Sequence, residues 1–120
     1  MEIEPFVATL EPDPMRLHEL RAWIARWLAN AGIYGSVRDE IALATHEAAA
    51  SALESSPSTI LVKAEIEQRA ITVVIESDGA WVAPDADEGG HRMAVLRKVM
   101  SEVEFDPGQS SSTLRLTRAL

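Results

Sequence analysis

The spacing of apolar residues changes from a helical period to a strand period at Thr59, and this change most constrains the fold. Before Thr59, apolar residues recur every three or four positions, which is typical of amphipathic helices. After it, residues 60–67 and 70–76 alternate between apolar and polar, as in strands with one buried face. The short Gln68-Arg69 segment between them predicts a hairpin. The chain therefore combines helices with an antiparallel strand pair.

Residue types at the segment ends predict the remaining elements. Asp13 followed by Pro14 predicts the N-cap and first position of a helix, which the left-handed conformation of Gly32 would end. The segment 36–39, Ser-Val-Arg-Asp, predicts a capping box at the start of a second helix. The full order β-α-α-β-β-α-β-β covers residues 3–10, 14–31, 36–55, 60–67 and 70–76, a helix after Gly90, and residues 103–105 and 113–117. We expect a single α+β domain over residues 1–120, a two-layer sandwich with three helices on one face of a mixed or antiparallel sheet.

Composition excludes several classes of function. Eleven Lys and Arg against nineteen Asp and Glu give a net charge of −8, which would repel a phosphate backbone, so we expect no direct nucleic-acid binding. The absence of cysteine excludes disulfides, thiolate metal sites and a thiol nucleophile. The sequence shows no apolar run of membrane-spanning length and no leader pattern, so we expect a cytoplasmic protein without membrane contact.

Three short segments carry candidate functional residues, and each has a plainer interpretation. Glu47 and Ser51 lie four apart on one face of the second helix, which could hold a water or a metal or could simply be solvated. The segment 77–79, Ser-Asp-Gly, ends a strand either beside a ligand or in a polar turn. Gly90 precedes the third helix, where backbone amides could receive an anion, or where the chain is only a linker.

The histidines do not build a hydrolase. A zinc hydrolase motif beginning at His46 would need a second histidine at position 50, where the chain has alanine. His18, His46 and His91 also give no nucleophile–base pair. We therefore look for another kind of site.

Taken together, the order and spacing of the segments resemble the GHKL ATPase fold, and more narrowly the RsbW-type anti-sigma-factor serine-protein kinases. The resemblance covers most of the chain and rests on residues 47–51, 75–81, 90–97, 103–105 and 112–116. It implies ATP and Mg²⁺ as cofactors. It also implies a sigma factor and a STAS-type anti-anti-sigma factor as partners, and it allows a homodimer.

The resemblance assigns roles to residues of the helix motif and of the strand-end motif. Glu47 matches the glutamate of Glu-x-x-x-Asn, which assists phosphoryl transfer, and Ser51 stands where an asparagine would bind magnesium. Gly79 matches the glycine of Asp-x-Gly, whereas Ser77 stands where the aspartate would bind adenine. Asp78 is one position out of register and would replace that aspartate only if the strand end bulged.

The third motif is Gly-x-Gly, which begins here at Gly90 and has Arg92 at the place of its second glycine. Arg92 would either bind phosphate or occupy the phosphate site as an internal cation. The resemblance also assigns Thr113 to the nucleotide site. Trp81 would line the adenine side of the pocket or close the end of the sheet.

Substitutions at all three motifs favour a non-catalytic interaction module in which ATP binding is weak or lost. The alternative is an active ATP-dependent serine kinase that phosphorylates an anti-anti-sigma factor. For the partner surface we expect Trp23, beside Arg16 and Glu19 on the first helix. Trp23 would be an interface anchor or a residue at the margin of the core.

Overall fold

The computed structural model describes residues 3–55, 57–78, 90–108 and 110–120. Their elements are, in order, β1 (Phe6–Leu10), α1 (Pro14–Asn30), α2 (Gly35–Leu53), β2 (Ile60–Glu67), β3 (Ala70–Asp78), α3 (Gly90–Val99), β4 (Glu102–Pro107) and β5 (Ser111–Ala119). The predicted order of helices and strands is confirmed. The predicted loop between β3 and α3 falls mostly on residues 79–89, outside the described residues.

The strands of the described chain form one five-stranded sheet in the order β1-β2-β3-β5-β4, and every neighbouring pair is antiparallel. Gln68 and Arg69 join β2 to β3 as a two-residue turn with φ of 49° and 61°. Positive φ at both positions is the geometry that matches the twist of a hairpin. The strand pair inferred from the alternating pattern is therefore the centre of the sheet.

All three helices contribute buried residues to a core on one face of this sheet. The buried stripe of α1 consists of Leu17, Leu20, Ile24 and Leu28. Burial of a leucine or isoleucine side chain contributes about 1.5–3 kcal/mol, so this stripe is a main reason why α1 packs. Along α2 the fully buried side chains are mostly small, and include Ala44, Ala48 and Ala52, which lets the helix approach its neighbours closely. The predicted α+β sandwich is confirmed.

The predicted start of α1 is confirmed, whereas the predicted start of α2 is wrong. Asp13 caps α1 as predicted, because its side chain accepts a hydrogen bond from the Met15 amide at 2.9 Å and Pro14 follows it. The capping box predicted at Ser36 is wrong. The helix α2 begins one residue earlier, at Gly35 with φ of 70°, so that Ser36 already lies inside the first turn and the N-cap Tyr34 makes no side-chain bond.

No helix among the described residues is long and apolar enough to cross a membrane.

Candidate functional site

Glu47 forms part of an ion-pair cluster between α2 and α3. Arg92, in the first turn of α3, donates a hydrogen bond from Nε to Oε2 of Glu47 at 3.2 Å and another from Nη1 to Oε1 of Glu54. Glu47 lies on α2, and Glu54, seven residues or about two turns later, is the C-cap of the same helix. Arg92 thus bridges two carboxylates and ties the start of α3 to α2. We call these three residues the Arg92 clasp.

The electrostatics of the clasp favour the charged guanidinium. Burial lowers the pKa of Arg92, but the hydrogen bonds and charges of Glu54 and Glu47 outweigh it, and the net shift is upward. Arg92 is therefore a cation throughout the physiological pH range. Arg92 thus puts a permanent positive charge where the family motif has its second glycine. This charge pairs with Glu47, the candidate catalytic carboxylate.

Ser51 lies one turn after Glu47 and is only 5% exposed. Its hydroxyl donates a hydrogen bond to the backbone oxygen of Glu47 at 3.2 Å. This is a local helix bond from residue i to residue i−4, and it uses the only proton that the side chain has. The hydroxyl proton of Ser51 is thus used within its own helix, and only the oxygen lone pairs are left for a ligand.

Ser77 lies on the helix-covered face of β3 and is 2% exposed. Its Oγ has no hydrogen-bond partner within the described part of the chain. The register places Ser77 between Ile60 of β2 and Ser112 of β5, and Ser112 is also buried. Two buried serines therefore lie side by side at the end of the sheet, under the helical layer.

The position of Ser112 corrects the nucleotide-site prediction for Thr113. Thr113 is in register with Glu76 and Asp106, on the face of the sheet that points away from the helices. Side chains alternate along a strand, so one step in sequence moves the side chain to the opposite face. In the sequence, Leu114 and Leu116 alternate with polar residues, which indicates that position 112 also faces the core. The prediction of Thr113 did not take account of this alternation, which favours Ser112.

Asp78 does not replace the missing aspartate. The pairing of β3 with β5 continues without a bulge up to Asp78 and Ser111, so Asp78 points away from Ser77. Its carboxylate accepts hydrogen bonds from the amides of Ser58 and Thr59, both at 3.0 Å, and from the Ser58 hydroxyl. These bonds, above all that from the Ser58 side chain, lower the pKa of Asp78. Asp78 therefore holds the turn that leads into β2.

Gly79 and Trp81 lie outside the described residues. Gly90 is the first residue of α3 and stands two positions before Arg92. The structure thus places Gly90 at the same helix start as the clasp. The convergence of the strand-end motif on this place stays a prediction.

His46 lies beside the clasp and faces α1. Its ring centroid is 6.4 Å from that of His18, and its Nδ1, which has no hydrogen-bond partner among the described residues, is 4.0 Å from Oε1 of Glu47. Burial lowers the pKa of His46, and nearby positive charge adds to this shift, although the charge of Glu47 acts in the opposite direction. The neutral imidazole is therefore the favoured form. Within the described residues no three His, Asp or Glu side chains form a metal-binding group.

The predicted partner residues lie on the outer side of α1. Arg16 donates a hydrogen bond from Nη1 to Oε1 of Glu19 at 2.8 Å, one turn apart. Trp23 is 40% exposed, and Met15, two turns before it on the same side, is also exposed. By contrast, Trp27 donates from Nε1 to the backbone oxygen of Glu4 at 2.8 Å. Trp23 is therefore available to a partner, whereas Trp27 holds the start of the chain against α1.

Arg92→Ala is expected to lower the free energy of unfolding by roughly 1–2 kcal/mol, because Glu47 and Glu54 lose their shared cation and are left close together. Urea denaturation at neutral pH measures this loss. The matched control is Arg26→Ala on α1, an exposed arginine that has no ion pair with any described residue. Equal effects of the two substitutions would contradict the clasp.

Comparison with known proteins agrees with the fold. A family model described as the histidine kinase-like ATPase domain matches residues 10–118. Among solved structures, the crystal structure of the RsbU and RsbW domains of Rv1364c from Mycobacterium tuberculosis is similar, with a TM-score of 0.80 and 22% sequence identity over 98% of this chain. This chain spans 32% of that one, and the likeness concerns the fold. No protein of curated function matches. The match over residues 10–118 shows that the chain belongs to the histidine kinase-like ATPase domain family.

Proposed function

We propose that this chain is a regulatory protein of the anti-sigma type, which binds a sigma factor, its STAS-type antagonist, or both, and which binds ATP weakly or not at all. The observation that carries the second part is the Arg92 clasp. A side-chain cation stands where the family motif has a glycine, and it holds the carboxylate that would assist phosphoryl transfer.

Three features of the described residues oppose a magnesium-nucleotide site. Glu47 is in an ion pair, and a carboxylate in that state is a weaker base than a free one. The hydroxyl proton of Ser51 is directed to the helix backbone. Ser77 can give adenine only a neutral hydrogen bond, whereas a carboxylate would give a charge-assisted one. The described residues therefore do not fit ATP and Mg²⁺ in the manner that the family motif requires.

Partner binding does not need these groups. Trp23 offers an exposed aromatic side chain on α1, and Glu19 and Arg16 offer charged groups about one and two turns before it. Aromatic residues bordered by polar ones are typical anchors of protein interfaces. Support for sigma-type partners comes from the likeness to a structure that includes an RsbW domain. Cytoplasmic location and self-association into a homodimer belong to the same proposal.

A second candidate function is an active serine kinase of the same type. The observation that favours it is Glu47 itself, which is retained on α2 and directed towards the start of α3. In that case Arg92 would leave the clasp and bind phosphate when nucleotide enters. The two candidates differ in nucleotide affinity and not in partners.

Calorimetric titration of the chain with magnesium-ATP separates the candidates. We expect a dissociation constant in the high-micromolar range or weaker, and no transfer of labelled phosphate to a STAS-type protein. Glu47→Ala should leave partner binding unchanged, whereas Trp23→Ala should weaken it about tenfold or more. Binding at low micromolar concentration, or phosphate transfer that Glu47→Ala abolishes, would establish the kinase instead.

A further inference from the structure

The face of the sheet opposite the helices is uncovered in the described part of the chain. We call it the open face, and it consists of the side chains of β1 to β5 that alternate with the core residues. At its centre, Val7 is in register with Lys63, Lys63 with Val74, and Val74 with Arg115. Val7 is 62% exposed. The open face thus carries apolar side chains that nothing in the described residues covers.

A shallow cavity of about 360 Å³ lies on this face, over the two valines. Its lining also includes Lys63, Glu65 and Arg115, from β2 and β5. The cavity and the Arg92 clasp lie on opposite sides of the sheet, because the clasp is between the helices. The cavity is a recess whose floor consists of Val7 and Val74 with Lys63 between them, and whose rim has the charged side chains of Glu65, Glu76 and Arg115.

The lining of the recess has two carboxylates, Glu65 and Glu76, and two cations, Lys63 and Arg115, and carboxylates are in excess on the open face as a whole. The outward side chains of the neighbouring register rows include Glu65, Glu76, Glu102, Glu104 and Asp106. The cations among them are Lys63 and Arg115, and neither belongs to any ion pair of the described residues. The open face therefore has an excess of negative charge that is not neutralised within the chain.

This charge decides which occupant fits. A second copy of the chain would bring two acidic faces together, and like charges across an interface are unfavourable. Nucleic acid and anionic lipid would be repelled for the same reason. A segment rich in Lys and Arg is attracted, and a leucine-like side chain within it would fill the recess over Val7 and Val74.

We infer that the open face is a docking surface for a basic segment of a partner protein, which places an apolar side chain over Val7, Val74 and the aliphatic part of Lys63 between them. The five strands lie about 4.8 Å apart, so the surface is roughly 19 Å wide. Interfaces of this small size are transient and respond to salt. The inference goes beyond the proposed function, because it concerns a surface that neither α1 nor the clasp forms.

The test uses the isotope-labelled full chain and a short synthetic peptide of Lys and Leu, with a Glu and Leu peptide and a Lys and Ser peptide as controls. We expect the Lys and Leu peptide alone to shift amide resonances, and the shifts to map to β1, β2, β3 and β5. Glu65→Lys should weaken the binding about tenfold, whereas the matched change Glu11→Lys, at an exposed position outside the sheet, should leave it within about twofold. Val74→Thr, which keeps the side-chain shape, should weaken it severalfold without loss of folding.

Shifts that map to the helices would overturn the inference. So would equal effects of Glu65→Lys and Glu11→Lys, or equal binding of the Lys and Ser peptide, because these results indicate only general attraction between opposite charges. A stable dimer in sedimentation in which the open-face amides are protected from exchange would assign the face to a second copy instead.

Discussion

The triple variant Ser51→Asn, Ser77→Asp and Arg92→Gly is expected to bind magnesium-ATP roughly a hundredfold to ten-thousandfold more tightly than the native chain. Each substitution restores a polar contact or removes an obstruction, and a polar contact contributes about 1–2 kcal/mol. Arg92→Gly acts in two ways, since it removes the competing cation and also leaves Glu47 without its ion pair. Asparagine at position 51 adds an amide oxygen that does not depend on the hydroxyl bond to the helix backbone.

Calorimetry of the native chain, each single variant and the triple variant measures this gain. Arg92→Gly alone should tighten binding by part of the total, because the clasp is opened while the other two contacts are still missing. The control is Asp78→Asn in the native chain, which should not change nucleotide affinity, because Asp78 bonds to Ser58 and Thr59. If Arg92→Gly weakens ATP binding, Arg92 serves as a phosphate ligand and the clasp is not an obstruction.

The fold was predictable because each element has a local pattern. The alternation from Ile60 onwards and the helical stripe of α1 both depend on residues close in sequence, and the structure confirms them. The start of α2 was not predictable in this way. The turn before it contains two glycines with positive φ, Gly32 and Gly35, and α2 begins at the second of them. The preference of serine for the N-cap position gives no information about the conformation of this turn.

The contacts of the site were less predictable, because they join residues far apart in sequence. The sequence identified Arg92 as a cation at the phosphate position, but not Glu54 as its second partner, 38 residues away. That pairing depends on how α3 lies across α2. The bonds of Asp78 to the turn before β2 depend in the same way on the register of β2 and β3. Strand alternation, in contrast, was sufficient to predict that Asp78 and Ser77 face opposite ways.

Ser77→Asp alone is expected to lower the free energy of unfolding by roughly 2–4 kcal/mol at neutral pH, because it places a carboxylate at a position that is 2% exposed. The Ser77 hydroxyl already lacks a hydrogen-bond partner among the described residues, and its register partner on β5 is another serine, Ser112. Among the described residues, no cation pairs with this position to neutralise the new charge. Burial therefore raises the pKa of the introduced carboxyl group above its value in the unfolded chain.

The sign of the pH dependence follows from this shift. Between the two pKa values the folded variant holds a proton that the unfolded variant releases. The loss of stability is therefore absent below a pH of about 4, where the carboxyl group is protonated in both states, grows as the pH rises, and is greatest above the raised pKa of the folded variant. Urea denaturation at neutral and acidic pH, each compared with the native chain at the same pH, measures this difference. Ser110→Asp, at an exposed position before β5, is the matched control and should change stability by no more than about 0.5 kcal/mol at either pH. Equal and small effects at both positions would mean that solvent or a ligand reaches Ser77, and the nucleotide site would then be more open than the contacts of Ser51 and Arg92 indicate.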